Sequence, residues 1–206
     1  VGVPQLRLLP IFSAALTLIF LYLFAKQVFS RRVAISTVIL LAVNPSFIFW
    51  SRQGMLVTNI TVTMFAASLW TAWNWKLTRR RRWLALTGFI WGVGVWTKLL
   101  FIWAIGAMLA VAFLGWLWQR RNASRQTRWP DFAHNLLVLG GSFLLGVWPL
   151  IIFNVQTSGT LISVFSNLNT SYYGVNNANF LTNLAKRVEQ VGFLLQGNQF
   201  WYLGET

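Results

Sequence analysis

The sequence predicts an all-α integral membrane protein, with about six transmembrane helices and one amphipathic helix at the outer interface. Three observations carry this. Of 206 residues, 56% are apolar, 17% aromatic and only 10% charged, and mean hydropathy is positive; soluble domains do not have this composition. Apolar runs recur near the ~20-residue length that crosses about 30 Å of hydrocarbon. Twelve of the 17 Lys and Arg collect at the ends of those runs, where they would share one face of the bilayer.

The first run covers residues 8–29, opened by Arg7-Leu-Leu-Pro10 and closed by Lys26, Arg31 and Arg32. The second covers 33–50, with Pro45 expected to kink it because proline lacks the amide proton that the helix ladder needs. Residues 57–77 form the third and end at Lys76 and Arg79 to Arg82; residues 83–97 form the fourth. At fifteen residues the fourth reaches only about 22 Å, so Lys98 is expected to be recessed from the outer surface. The fifth run, 99–118, leads to Arg120, Arg121, Arg125 and Arg128, and the sixth, 136–155, contains Pro149. Merging the fourth and fifth runs into one crossing would put the Arg120 cluster outside, so charge bias favours a hairpin.

Small residues recur in these helices: Gly88, Gly92 and Gly94, then Gly106 and Ala110, then Gly140, Gly141 and Gly146. The spacing Gly88-xxx-Gly92 allows close helix packing in lipid. Thirteen Trp fall largely at the expected interfaces as an aromatic belt. Residues 156–179 turn to Asn, Ser, Thr and Gly and are expected to form an outer loop. Phe180, Leu184, Val188, Val191 and Leu195 then recur at helical spacing, with Lys186, Arg187 and Glu189 on other faces. That is the pattern of a helix lying along an interface. The chain is thus expected to comprise a membrane bundle, 1–155, forming part of a larger membrane domain, and an extracytoplasmic segment, 156–206. It starts at Val1 with no signal-peptide pattern, and is read as an internal piece of a longer protein.

Composition also limits the chemistry. The net charge of +14 could attract nucleic acid, but the basic clusters sit between apolar spans and not along one polar face, so no nucleic acid is expected. Membrane lipids, through their anionic headgroups, are the expected partners of those clusters. With no cysteine, disulfides and thiolate metal sites are excluded. Acidic residues number three, Asp131, Glu189 and Glu205, so no carboxylate base lies in residues 1–130. His134 stands alone. No metal-ligating residues and no cofactor are evident, and the sequence leaves a divalent-metal requirement open.

By the positive-inside rule the twelve clustered cations are cytoplasmic, with the bundle in the plasma (inner) membrane. Arg7, Arg52, Lys98, Lys186 and Arg187 are left on the outer side. Arg52 follows Trp50-Ser51 where the second run leaves the membrane; its guanidinium suits a ligand phosphate, or equally a lipid phosphate reached by snorkelling. Lys98 sits between two apolar stretches, at a cost of about 2.5–3.5 kcal/mol if held centrally, and such charges usually line a cavity and serve function.

The order of these signals, Arg7-Leu-Leu-Pro10, Phe29-Ser-Arg-Arg32, Asn44-Pro45 through Trp50-Ser51-Arg52, Arg82-Trp83-Leu84, Gly92-Val-Gly94 and Thr97-Lys98, resembles the polyprenyl-phosphate-dependent membrane glycosyltransferases of the GT-C superfamily. Within it the likeness is to the family-39 group, which contains the dolichyl-phosphate-mannose protein mannosyltransferases and the aminoarabinose transferases of lipid A. The match covers residues 7–100 and continues more weakly beyond. It implies transfer of a sugar from a polyprenyl-phosphate donor to a lipid or protein acceptor on the outer side. It also implies a catalytic aspartate upstream of Val1, so that this piece alone is inactive, and donor-phosphate contacts by Arg52 and Lys98. Many relatives carry an acidic residue shortly after the Ser-Arg pair, where this chain has neutral Val57, Thr58 and Asn59. The competing readings are a piece of a multi-span transporter, which requires repeated halves, and a membrane scaffold without chemistry.

Overall fold

The computed structural model describes residues 3–52, 58–122, 129–169, 176 and 179–195, and among these the regular structure is entirely α-helical. The chain divides into two compact units, Val1–Pro149 and Leu150–Thr206.

In the first unit α1 runs Val3–Val28, beginning earlier than expected and passing through Pro10 without ending. Ser30 closes the turn into α2, Arg31–Ala42, by accepting the Val33 amide at 3.3 Å. The second apolar run is not one kinked helix. It stops at Ala42 and restarts as α3, Pro45–Trp50. Asn44 caps that restart, its Oδ1 taking the Phe47 amide at 3.0 Å, and Pro45 occupies a first-turn position where its missing amide proton costs nothing. Capping chemistry thus turns the expected kink into a break.

Helix α4, Thr58–Thr78, packs along α1 in parallel. Contacts rise together in number along both helices. Thr63 Oγ1 donates to the Ser13 carbonyl at 2.8 Å and lies 2.8 Å from Thr17 Oγ1. The Phe20 and Trp70 rings follow at 5.7 Å, Phe24 and Trp73 at 6.2 Å, and the Gln27 and Asn74 side-chain amides pair at 3.3 and 3.4 Å. Helix α5, Arg81–Thr97, returns antiparallel to α4, and Thr87 Oγ1 donates to Thr71 Oγ1 at 2.9 Å. Ser13, Thr17, Thr63, Ser68, Thr71 and Thr87 are all buried. The four Thr hydroxyls and Ser68 are hydrogen-bonded, and Ser13 takes part through its carbonyl, which offsets the cost of removing these polar groups from water.

Helix α6, Phe101–Asn122, comes back along α4, where Ser68 Oγ approaches Met108 Sδ at 3.4 Å. Helix α7, Trp129–Thr157, runs beside α5 in parallel: Gly88 faces Ser142 and Leu139, and Gly92 faces Phe143 and Gly146. A Cβ placed on Gly92 would stand 2.8 Å from Gly146 Cα and from the Val147 amide nitrogen, so only glycine permits the two backbones to approach this closely. The Gly88-xxx-Gly92 spacing thus marks a helix crossing. Gly106, Gly140 and Gly141 meet nothing within 4 Å and play no such part.

Stretches of three helices, Leu8–Val28, Phe101–Trp118 and Phe132–Thr157, are long and apolar enough to cross a membrane. Their exposed residues include Ile11, Phe12, Ile19, Ile102, Val111, Leu114, Leu137 and Leu145, a surface suited to lipid and not to water. The chain is therefore an all-α integral membrane protein. The other apolar runs are shorter or more polar, and α5, with 17 residues, measures about 25 Å against the ~30 Å of a hydrocarbon layer.

The helix directions sort the charges. Lys26, Arg31, Arg32, Lys76 and Arg79 to Arg82 lie at the end of the bundle where α1 and α4 finish and α2 and α5 start. There the indoles meet cations: Lys76 over Trp73 at 4.3 Å, Arg79 over Trp75 at 5.3 Å and Arg82 over Trp83 at 5.5 Å. The turn between α4 and α5 is closed by Arg79 in a left-handed conformation, φ 54°, its amide bonded to the Trp75 carbonyl. Helix α6 finishes at the same end. Arg125 and Arg128 lie outside the described residues.

In the second unit, residues expected to be loop contain a helix, α8, Gly159–Asn169. Helix α9, Phe180–Leu195, covers the range read from the sequence. Its Phe180, Leu181, Leu184, Val188 and Val191 are exposed.

Candidate functional site

At the bundle end opposite the basic clusters, α3 and α5 finish and α4 begins. Two side chains on the first turn of α4 tie the three together. Asn59, itself buried, donates its side-chain amide to the carbonyl of Trp50, the last residue of α3. Thr58 Oγ1 accepts a hydrogen bond of 3.2 Å from Lys98 Nζ, at the end of α5. Arg52, two residues past the carbonyl that Asn59 holds, and Lys98 are thereby brought to the same end of one helix.

Local structure explains both positions. Beyond Trp50 the chain leaves α3 through a turn: the Ser51 amide bonds the Phe47 carbonyl at 3.0 Å, and the Arg52 amide bonds the Phe49 carbonyl at 3.2 Å. Ser51 is buried, its hydroxyl donating to the Ile48 carbonyl at 3.0 Å, while Arg52 is exposed. Among the described residues its guanidinium has no partner. Lys98 closes α5 in an extended conformation, φ −155° and ψ 115°, its amide bonded to Gly94 O at 3.0 Å. Its carbonyl then accepts the Phe101 amide at 2.8 Å and opens α6. The buried Phe101 ring lies against Gly94, where a Cβ would stand 2.9 Å from Phe101 Cγ. The sequence therefore makes a tight α5–α6 hairpin with a half-buried lysine at its apex.

Among the described residues Thr58 is the one hydrogen-bond partner of that ammonium. A lysine carries three donors, so two remain for a ligand. The first-turn amides of α4 add partial positive charge to the same place. An exposed guanidinium, an ammonium with two spare donors and a helix start together suit an oxyanion. No carboxylate accompanies them in the described first unit, where Asp131 sits near the start of α7, at the opposite end. His134 is exposed on α7, and no group of three His, Cys, Asp or Glu side chains capable of holding a metal occurs among the described residues. Arg7 lies in the first turns of α1, at the same end as Lys98.

Sequence reasoning selected Arg52 and Lys98 but missed Thr58, which accepts from the Lys98 ammonium, and Asn59, which holds the Trp50 carbonyl two residues before Arg52. The signal was present as two adjacent polar residues at the start of an otherwise apolar run.

No curated protein and no solved structure gives a significant match to the chain. The profile of one family does match, over residues 3–153, which takes in α1 to α6 and most of α7 and includes every residue of the site described above. The chain belongs to the dolichyl-phosphate-mannose-protein mannosyltransferase family, and so to the membrane glycosyltransferases of GT-C type.

Proposed function

We propose that this chain supplies the donor-phosphate site of a membrane enzyme that moves a sugar from a polyprenyl-phosphate carrier to a lipid or protein acceptor on the extracytoplasmic side. The observation that carries the reading is Lys98: a half-buried ammonium between two apolar helix ends, bonded to Thr58, with two donors free and Arg52 at the same end of α4. In transfer, an acceptor oxygen attacks the anomeric carbon, the bond from that carbon to the phosphate oxygen breaks, and the carrier leaves with an added negative charge. Lys98 and Arg52 stabilise that charge as it develops, Lys98 as a point charge and Arg52 through paired N–H donors. The acceptor proton goes to a carboxylate, which the described residues of the first unit do not place at this end of the bundle. The basic clusters face the cytoplasm and the site faces outward from the plasma (inner) membrane, in line with the charge bias of the two bundle ends. Helix α9 lies along the outer interface.

The test is binding of a C55 polyprenyl phosphate to the full-length protein. One charge-assisted hydrogen bond contributes about 1.5–3 kcal/mol, so Lys98→Ala and Arg52→Ala should each weaken binding by roughly 10- to 150-fold. Unchanged affinity in both variants would remove these residues from the site. Labelling of a cysteine placed at 52 or 98 only by reagents added from the cytoplasmic side would reverse the orientation.

A further inference from the structure

Helix α7 ends at Thr157 and α8 begins at Gly159, leaving one residue for the turn. That residue, Ser158, takes φ 53°, a left-handed conformation that non-glycine residues adopt only where the surroundings hold them. The amides at the joint are all bonded. The Ser158 amide donates to the Asn154 carbonyl at 2.8 Å, closing α7. Each of the first four amides of α8 has an acceptor: Gly159 on Thr157 Oγ1 at 3.1 Å, Thr160 and Leu161 on Asn154 Oδ1 at 3.1 and 3.3 Å, and Ile162 on the Ser158 carbonyl at 3.0 Å. Asn154 also donates its amide back to Leu150 O at 2.8 Å, so one side chain clamps both helices. At a helix start such amides are satisfied by side chains, by water or by ligands, and here none of the four is left to water. A start that satisfies all four internally suits a place where water is scarce.

The position of the joint says where that place is. Residues 136–153 of α7 are apolar or small apart from Ser142, about 27 Å of helix at 1.5 Å per residue, close to one hydrocarbon thickness. Asn154 is the first amide side chain past that stretch, so α8 starts at the hydrocarbon boundary. Its eleven residues, about 16 Å, cannot cross a bilayer. Leu161, Ile162 and Phe165 share one face and are exposed, while Ser163, Ser166 and Asn167 lie on the other. No charged residue occurs in the helix.

We infer that α8 is an in-plane helix seated in the interfacial layer of the leaflet where α7 ends, with Leu161, Ile162 and Phe165 against the acyl chains and Asn154 as the elbow that sets the turn. The occupant of its apolar face is lipid, because the helix is joined to the end of a membrane span by a single residue. The absence of charge means that apolar burial, not headgroup attraction, holds it there. This rests on the membrane-spanning character of α7 and not on the phosphate site.

The test uses the full-length protein in phosphatidylethanolamine–phosphatidylglycerol vesicles, with single nitroxide-labelled cysteines at 161, 162, 163, 165, 166 and 167. Collision with oxygen should exceed collision with a water-soluble nickel chelate at 161, 162 and 165, and the order should reverse at 163, 166 and 167. The pattern should not change between low and high salt. Nickel access on both faces would place α8 in water and overturn the inference. Low access to both reagents at 161 and 165 would mean a protein cover, and would overturn it equally. In Asn154→Ala the alternation should be lost, with oxygen access at 144 and 145 in mid-α7 retained; an unchanged α8 pattern in that variant would refute the elbow.

Discussion

Gly92→Ala is the sharpest test of how the bundle is held. The new Cβ would lie 2.8 Å from Gly146 Cα and Val147 N and closer still to the Phe143 carbonyl oxygen, where ordinary contact begins at 3.4 Å. The two helices must therefore separate by about 0.6 Å at the 2.8 Å pairs (3.4 − 2.8), and by more at the carbonyl. All three obstacles are backbone atoms, so no side-chain rotation relieves the clash. Separation also loosens the neighbouring contact of Gly88 with Leu139. Overpacking of this kind costs about 1–3 kcal/mol, a roughly 5- to 150-fold fall in the ratio of folded to unfolded protein. Gly141→Ala is the control: nothing lies within 4 Å of that position, and alanine there should be neutral or stabilise by up to ~1 kcal/mol through its better helix propensity. The assay is unfolding by titration with sodium dodecyl sulfate in mixed micelles, followed by tryptophan fluorescence. Equal midpoints for Gly92→Ala and Gly141→Ala would refute the close crossing of α5 and α7.

Two further outcomes are expected. In a double-mutant cycle of Thr71→Val and Thr87→Val, the coupling measured by the same titration should be about 0.6 kcal/mol and no more than ~1.7, the range for side-chain hydrogen bonds inside membrane bundles; zero coupling would mean that the 2.9 Å contact does not hold α4 to α5. Asn59→Leu leaves the Trp50 carbonyl without its side-chain donor, so stability should drop by about 1–3 kcal/mol and amide exchange at Ser51 and Arg52 should accelerate, whereas unaltered exchange there would dissociate Asn59 from the placement of Arg52.

Most helix boundaries were legible in the sequence, because a bilayer imposes one length scale and the chain marks each end with charge. What escaped depends on relations between segments or on capping. The break at Asn44-Pro45 reads as a kink until the Asn44 side chain is recognised as the cap of a new helix. Helix α8 reads as loop because its Ser and Asn content resembles loop composition, and because the side chain that starts it, Asn154, lies five residues upstream in another helix. Gly88 and Gly92 carried a correct spacing, but nothing in the sequence separated them from Gly140 and Gly141, since spacing fixes a face only relative to its own helix and not to a neighbour. The pairings of Thr17 with Thr63 and Thr71 with Thr87 were invisible for the same reason. Arg52 and Lys98 were selected from position in the charge pattern. Their shared tie to α4 required the fold.

The free-energy balance at Lys98 bears on the ligand proposed for it. A lysine recessed among apolar helix ends has an insertion cost of up to about 2.5–3.5 kcal/mol. The fold returns little of it, since one hydrogen bond to the neutral Thr58 hydroxyl contributes ~0.5–1.5 kcal/mol and no carboxylate of the described first unit lies at this end. The hairpin nevertheless places the ammonium: Gly94 admits the Phe101 ring at the turn, Gly92 sets α5 against α7, and Thr58 takes one of the three donors. A site optimised for stability alone would carry an apolar residue here. Under the proposed function, an uncompensated cation with donors to spare, and a second cation at the same end of α4, is the arrangement that an arriving phosphate would complete, because the anion would then find oriented charge without reorganising the protein.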